Sequence, residues 1–239
     1  MPRRSDSASH MTTLDRSDPL EYVVATLQED IVLGRLAPGM RLIEEDLARR
    51  LDAKRHVVRQ AFVELERFGL VERARNRGAS VRQLTLEDVA QIYAVREILE
   101  RAAAAQIPMP VPQKALKAIE VAQRAHDRAV EKSDATAVFR ANFAFHRALF
   151  AACDNPYLAA AIEDFRKKTH VVWSYAIVRP EYFRSAQREH RAMLKALRDG
   201  ERRKLVELCA HHLDISRNAY VETHRLRFAA DRAKYAVKG

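Results

Sequence analysis

Residues 54–82 read KRHVVRQAFVELERFGLVERARNRGASVR, and their interpretation decides the fold. From about Lys54 to Phe68 the apolar residues Val58, Ala61, Phe62 and Leu65 recur at helical spacing and form one buried stripe. At about 100° per residue, His56, Arg59, Gln60 and Val63 fall on the opposite side, with Arg55 at the rim. Gly69 stops the helix. Leu70–Arg73 and Ala79–Arg82 then read as two extended segments around Arg75-Asn76-Arg77-Gly78, where Asn and Gly tolerate positive φ at a hairpin tip.

Working outward, GRLAPGMRLIEEDLARRL (residues 34–51) precedes that helix. Pro38-Gly39 is a turn, and Glu44, Glu45 and Asp46 sit in a first helical turn where the macrodipole favours acids. Leu47 and Leu51 face inward, and Asp52-Ala53 is a short break. Further upstream, Leu20, Val24, Leu27 and Ile31 mark a first helix beginning at Pro19. Two short helices with basic and amide side chains outward suit a helix-turn-helix, since the major groove admits one helix whose first turns reach base edges. The pair alone fits an ordinary amphipathic hairpin equally well. The arginine-flanked hairpin after it tips the reading to a winged helix, its wing directed at the narrower, more negative minor groove. Residues 49–82 carry ten Arg or Lys against four Asp or Glu.

The order of these motifs, with the PG turn, EEDLA helix, VR pair, GLV strand and NRG wing, resembles the DNA-binding domain of the GntR family of bacterial transcription regulators, FadR-like branch, over residues 19–84. The resemblance implies operator contacts from Arg55 and Arg59, with Gly78 letting the wing approach the minor groove; Lys54, His56 and Gln60 on the outward face of the helix and Arg75 and Arg77 in the wing are further candidate contacts. Lys54-Arg55-His56 stands where the family usually has Ser-Arg-Thr, so the base preference is this chain's own.

The remainder is helical. The whole chain has 239 residues and only six glycines, and between Gly78 and the terminal Gly239 there is only Gly200, which disfavours a β-sandwich or a Rossmann fold. Breaks at Pro108–Pro112, Ser133-Asp134, Asn155-Pro156, Arg179-Pro180 and Asp199-Gly200 divide residues 85–228 into about six helices, an all-α bundle. Residues 1–18 and 229–239 read as tails. Two cysteines form no disulfide framework and fit a reducing cytosol, no apolar run approaches the ~20 residues of a membrane span, and a soluble cytoplasmic protein is expected. The net charge of +10 is spread over both halves and decides little.

Within the bundle, polar residues interrupt apolar stripes. One helix carries Phe139, Asn142, Phe143, His146, Leu149, Phe150 and Cys153 in line. A later one carries Phe183, Ala186, His190, Met193, Leu194 and Leu197, and the last Leu205, Leu208, Cys209, His212, Ile215 and Ala219. His211 falls on the polar face, and His126, His170 and His224 lie among charged residues and read as solvent-facing. Burying an unpartnered polar group costs about 1–3 kcal/mol, so four such residues invite a common explanation. Either each bonds a backbone carbonyl or water, or they converge on a divalent metal.

The segments NFAFHRALFAACDNPYL, REHRAMLKALRDGE and CAHHLD resemble the FCD effector domain that follows the FadR-like winged helix, covering residues 85–225. That resemblance implies Asn142, His146, His190 and His212 as ligands of Zn²⁺ or Ni²⁺, with Asn where Asp is commoner. It also implies that Arg96, in VREILE, helps bind the carboxylate of a small organic acid effector; an i, i+4 ion pair with Glu100 serves as well. The resulting expectation is a homodimeric, effector-responsive repressor of double-stranded operator DNA, with no membrane partner and no catalysis. A metalloenzyme and an architectural DNA-binding protein are the rival classes; no HExxH or nucleophile elbow supports the former.

Overall fold

The computed structural model describes residues 17–74, 78–176 and 180–236. Its first third contains α1 (Pro19–Val32), β1 (Arg41–Leu42), α2 (Glu44–Leu51), α3 (Arg55–Arg67), β2 (Val71–Ala74) and β3 (Gly78–Val81). Asp18, assigned to a tail by its sequence context, caps α1 by accepting from the backbone N–H groups of Leu20 and Glu21. The buried face of α1 is centred on Val23, Leu27 and Ile31, with Leu20 and Val24 only partly covered. Buried Asp30 joins that face because Arg35 and Arg50 pair with its two oxygens at 2.9 and 2.6 Å, tying α1 to α2.

Asp52 takes the left-handed conformation (φ 50°) that ends α2 and turns the chain into α3. Val58, Ala61, Phe62 and Leu65 are buried as the spacing predicts, and Val57 joins them. The wing is a three-stranded antiparallel sheet in the order β1-β3-β2, with Arg41 opposite Ser80 and Arg73 opposite Ala79. Sequence periodicity missed β1 because two residues are too few to alternate. Gly78 has φ +80° with open space where a Cβ would stand, so backbone conformation rather than crowding asks for glycine there.

The bundle comprises α4 (Leu86–Gln106), α5 (Gln113–Glu131), α6 (Ala135–Ala151), α7 (Pro156–Lys168), α8 (His170–Ala176), α9 (Pro180–Asp199) and α10 (Arg202–Ala236). Seven helices are therefore present among the described residues where six were expected. The additional break falls at Thr169, whose hydroxyl donates to the Arg166 carbonyl. α10 also runs to Ala236, into the segment read as a tail.

The two halves share a core. Val171, Val172 and Tyr175 of α8, Leu213 and Tyr220 of α10, and Val89 and Tyr93 of α4 belong to the same cluster as Val23, Leu27 and Ile31. Thr85 caps α4 in a reciprocal capping box with Asp88, and the Tyr220 hydroxyl donates to the Leu84 carbonyl. The junction at Gln83–Thr85 is thus a packed corner. A second core, built on Phe145, Leu149, Ile119, Met193 and Leu205, lies inside the bundle.

Candidate metal centre and nucleic-acid interface

At the N-terminal end of α3, Lys54, Arg55, His56, Arg59 and Gln60 are all exposed. Arg59 makes a bidentate pair with Glu44, at 3.1 and 2.9 Å, and Arg55 pairs with Glu45. The acids that suit the dipole of α2 therefore also hold the α3 arginines in place, and the hydrogen bond from Arg59 holds the Glu44 carboxyl below its usual range. Exposed pairs of this kind contribute about 0–1 kcal/mol, so exchanging a glutamate for a phosphate or base edge is cheap. A cleft of about 520 Å³ between α3 and the wing is bordered by Arg41, Arg59, Arg73 and Gly78. No local sequence pattern marks Arg41 and Arg73: Arg41 sits on β1, too short to alternate, and Arg73 reads only as part of a strand. Arg75 and Arg77 lie outside the described residues.

In the bundle, α6, α9 and α10 each deliver one imidazole to a single point. The Nε2 atoms of His146, His190 and His212 stand 3.1, 3.2 and 3.3 Å apart. Glu189 accepts from His212 Nδ1 at 2.7 Å, which leaves His212 Nε2 with its lone pair facing the other two. Burial holds His146 and His190 well below the ordinary imidazole pKa, so both rings are neutral at pH 7. Three nitrogens in such a triangle cannot satisfy one another, because a proton on one Nε2 serves a single edge.

A cation at the centre resolves the conflict. With metal–nitrogen distances of about 2.1 Å, these separations subtend about 95–104°, between octahedral and tetrahedral values. The three histidines fit a metal site. The carboxylate behind His212 is the outer partner that such ligands commonly have. Asn142, one turn before His146, is buried with its Oδ1 unpartnered and borders the same cavity as His146 and His212. His211 points outward, its side chain 70% exposed.

That cavity, about 40 Å³, has a polar wall that includes Arg96 and Arg166 and an aromatic wall of Phe139, Phe143, Trp173 and Phe183. Arg96 is buried, donating to Glu100 at 3.0 and 2.8 Å and to Thr169 at 3.1 Å. The Glu100 ion pair expected from the i, i+4 spacing is present, and Arg96 also lines the pocket.

His126 and His170 correct the sequence reading. Both are buried, at 0% and 3% exposure, rather than facing solvent. Burial drives their pKa values down to about 4 and about 3. His170 sits at the edge of Phe139 and Phe143, and Gln28 of α1 donates to its Nδ1 at 3.1 Å. His126 lies 4.8 Å, ring to ring, from His190, behind the triangle. Small residues hid its stripe, since Ala122 and Ala129 flank it among charged neighbours.

Residues 19–81 match the bacterial regulatory proteins of the gntR family, and residues 91–215 match the FCD domain. The chain belongs to the GntR family, in the form that joins its DNA-binding domain to an FCD domain, and is a transcriptional regulator rather than an enzyme. The uncharacterized HTH-type transcriptional regulator YdhC of Bacillus subtilis is 26% identical over 173 residues, covering 72% of this chain and 77% of that protein. The HTH-type transcriptional repressor RspR of Escherichia coli is 26% identical over 158 residues, 65% of this chain and 68% of that one. Among solved structures, E. coli McbR/YncC superimposes with a TM-score of 0.74 at 21% identity, over 86% of this chain and 98% of its own, a likeness of fold. No helix among the described residues is long and apolar enough to cross a membrane.

Proposed function

We propose that this regulator is a cytoplasmic, homodimeric repressor whose operator affinity is set by a small carboxylate bound beside a divalent metal in the helical half. The observation that carries this reading is the His146–His190–His212 triangle, opening onto a cavity that also holds buried arginines. His146, His190 and His212, with Asn142 Oδ1 as a fourth ligand, would hold Zn²⁺ or Ni²⁺, for which imidazole is a suitable donor. When bound, the ion supplies open coordination positions for carboxylate oxygens. Arg96, fixed by Glu100 and Thr169, presents its guanidinium to the same space.

At the other end, Lys54, Arg55, His56, Arg59 and Gln60 face the major groove while the wing, with Arg75, Arg77 and Gly78, follows the backbone toward the minor groove. Two chains on a pseudo-palindrome double these contacts. The two sites are joined through α8. Thr169 and His170 face the cavity at its start, whereas Val171, Val172 and Tyr175 pack into the core around α1. An effector changes operator affinity only through its different affinity for the two placements of α1 against the bundle. Electrophoretic mobility shift on an operator selected from random duplexes, with and without candidate acids and with a chelator, tests this reading. Release of the operator on adding acid, abolished by chelation, is the expected result; equal binding to operator and scrambled DNA overturns it.

A further inference from the structure

Arg166 is the buried charge of the pocket that has no direct ion pair. It lies on α7 with 6% exposure, its Nε has no partner, and no carboxylate among the described residues comes within ion-pair distance. Arg96 differs, being neutralised by Glu100. Burial, with the Arg96 charge beside it, pulls Arg166 down to about 10, so it is still a cation at neutral pH. A desolvated guanidinium that faces the Phe143 ring at 6.0 Å and feels Glu100 and Glu163 only at a distance, with no direct ion pair, is a site suited to an anion.

Arg166 and His146 border two cavities at once. One is the 40 Å³ space at the histidine triangle, above the about 10–15 Å³ that a single water needs and sufficient for a carboxylate head. The other, about 240 Å³, is a cleft between α6 and α7 walled by Phe150, Ala151, Ala159, Ala160 and Ile162. Its alanines keep it open, and its two further charged residues are exposed Arg147 and half-buried Glu163. Polar atoms thus sit where the two spaces meet, and apolar surface extends away from them along α7.

We propose that the effector is a carboxylate bearing an unbranched apolar tail, its head held by Arg166 and its tail lying in the α6–α7 cleft. This rests on the effector reading above and specifies its ligand. The aromatic-walled space offers about 40 Å³ against about 240 Å³ in the cleft, and a compact hydroxy acid would leave the cleft unused.

The test is calorimetric titration of the full chain with acetate, butanoate, hexanoate and octanoate. Each added methylene should tighten binding about fourfold until the cleft is full, from about 0.8 kcal/mol per buried CH₂. Arg166→Gln should abolish binding across the series and Arg166→Lys should retain part of it. Ala159→Phe should reduce hexanoate to the affinity of acetate while leaving acetate unchanged, with circular dichroism confirming the fold. Hexanoate binding no tighter than acetate overturns the tail assignment and leaves the small-carboxylate reading intact. Acetate binding unaltered in Arg166→Gln overturns the anchor. No carboxylate binding by protein that still binds Zn²⁺ overturns the proposal without touching the metal site. A shift in oligomeric state with Ala159→Phe places a second copy over the cleft and overturns it also.

Discussion

His146, His190 and His212 come from positions 22 to 66 residues apart, yet their Nε2 atoms meet within 3.3 Å. Replacing any one by Ala removes a donor that its neighbours cannot supply, and metal content measured on protein purified without affinity resin should fall severalfold or more. His211→Ala, altering an exposed ring, should leave metal content unchanged. On the DNA side, Arg59→Ala should weaken operator binding by about 1–3 kcal/mol in fluorescence anisotropy, and unchanged affinity would contradict the groove-facing assignment. His170 supplies a pH signature. Its folded pKa of about 3 lies below the unfolded value near 6.5, so the unfolded chain binds the extra proton. Its contribution is fully present above pH 6.5 and is lost as pH falls toward 3. Urea unfolding should show about 2 kcal/mol less stability at pH 5 than at pH 7 from this residue, a slope that His170→Gln should flatten. Placing His146, His190 and His212 on buried faces needed only the 3.6-residue period, because bulky apolar neighbours mark their stripes. His126 and His170 defied it: alanines blur one stripe, and Lys167 and Lys168 precede the other.

Among the elements, α3 was legible in the sequence to within a residue or two, since one face is apolar and the other basic. α8 was not. It begins after a break at Thr169 that has no glycine or proline, and nearly all its described side chains are covered, so no amphipathic period separates it from α7. The wing shows the opposite limit, since β1 owes its place to pairing with β3 rather than to any pattern of its own. Asp30, buried and held by Arg35 and Arg50, likewise appeared in the sequence as one more acid on a helix. Asp30→Ala should cost about 1–3 kcal/mol in chemical denaturation, because the lost tie joins α1 to α2 while both arginines regain water.

Taken as one body, the chain does not divide where its sequence does. The composition shift after Val81 marks a change of architecture, yet the core runs across it through α8, α10 and α4. Tertiary packing between distant segments has no signature in a local pattern, so nothing in the sequence around Gln83–Thr85 announces the shared core. Leu27→Ala, in the winged-helix half, should therefore lower stability by about 2–5 kcal/mol and shift the unfolding followed by the lone Trp173 in the bundle by the same amount. A bundle transition unmoved by that substitution would show two independent units.

The most direct measurement is the transition-metal content of tag-free protein, by elemental analysis before and after exhaustive dialysis, beside the His190→Ala variant. About one zinc or nickel per chain, retained on dialysis and missing from the variant, is the predicted result. A wild-type chain carrying no transition metal, and taking up none when Zn²⁺ is titrated in, would contradict the account.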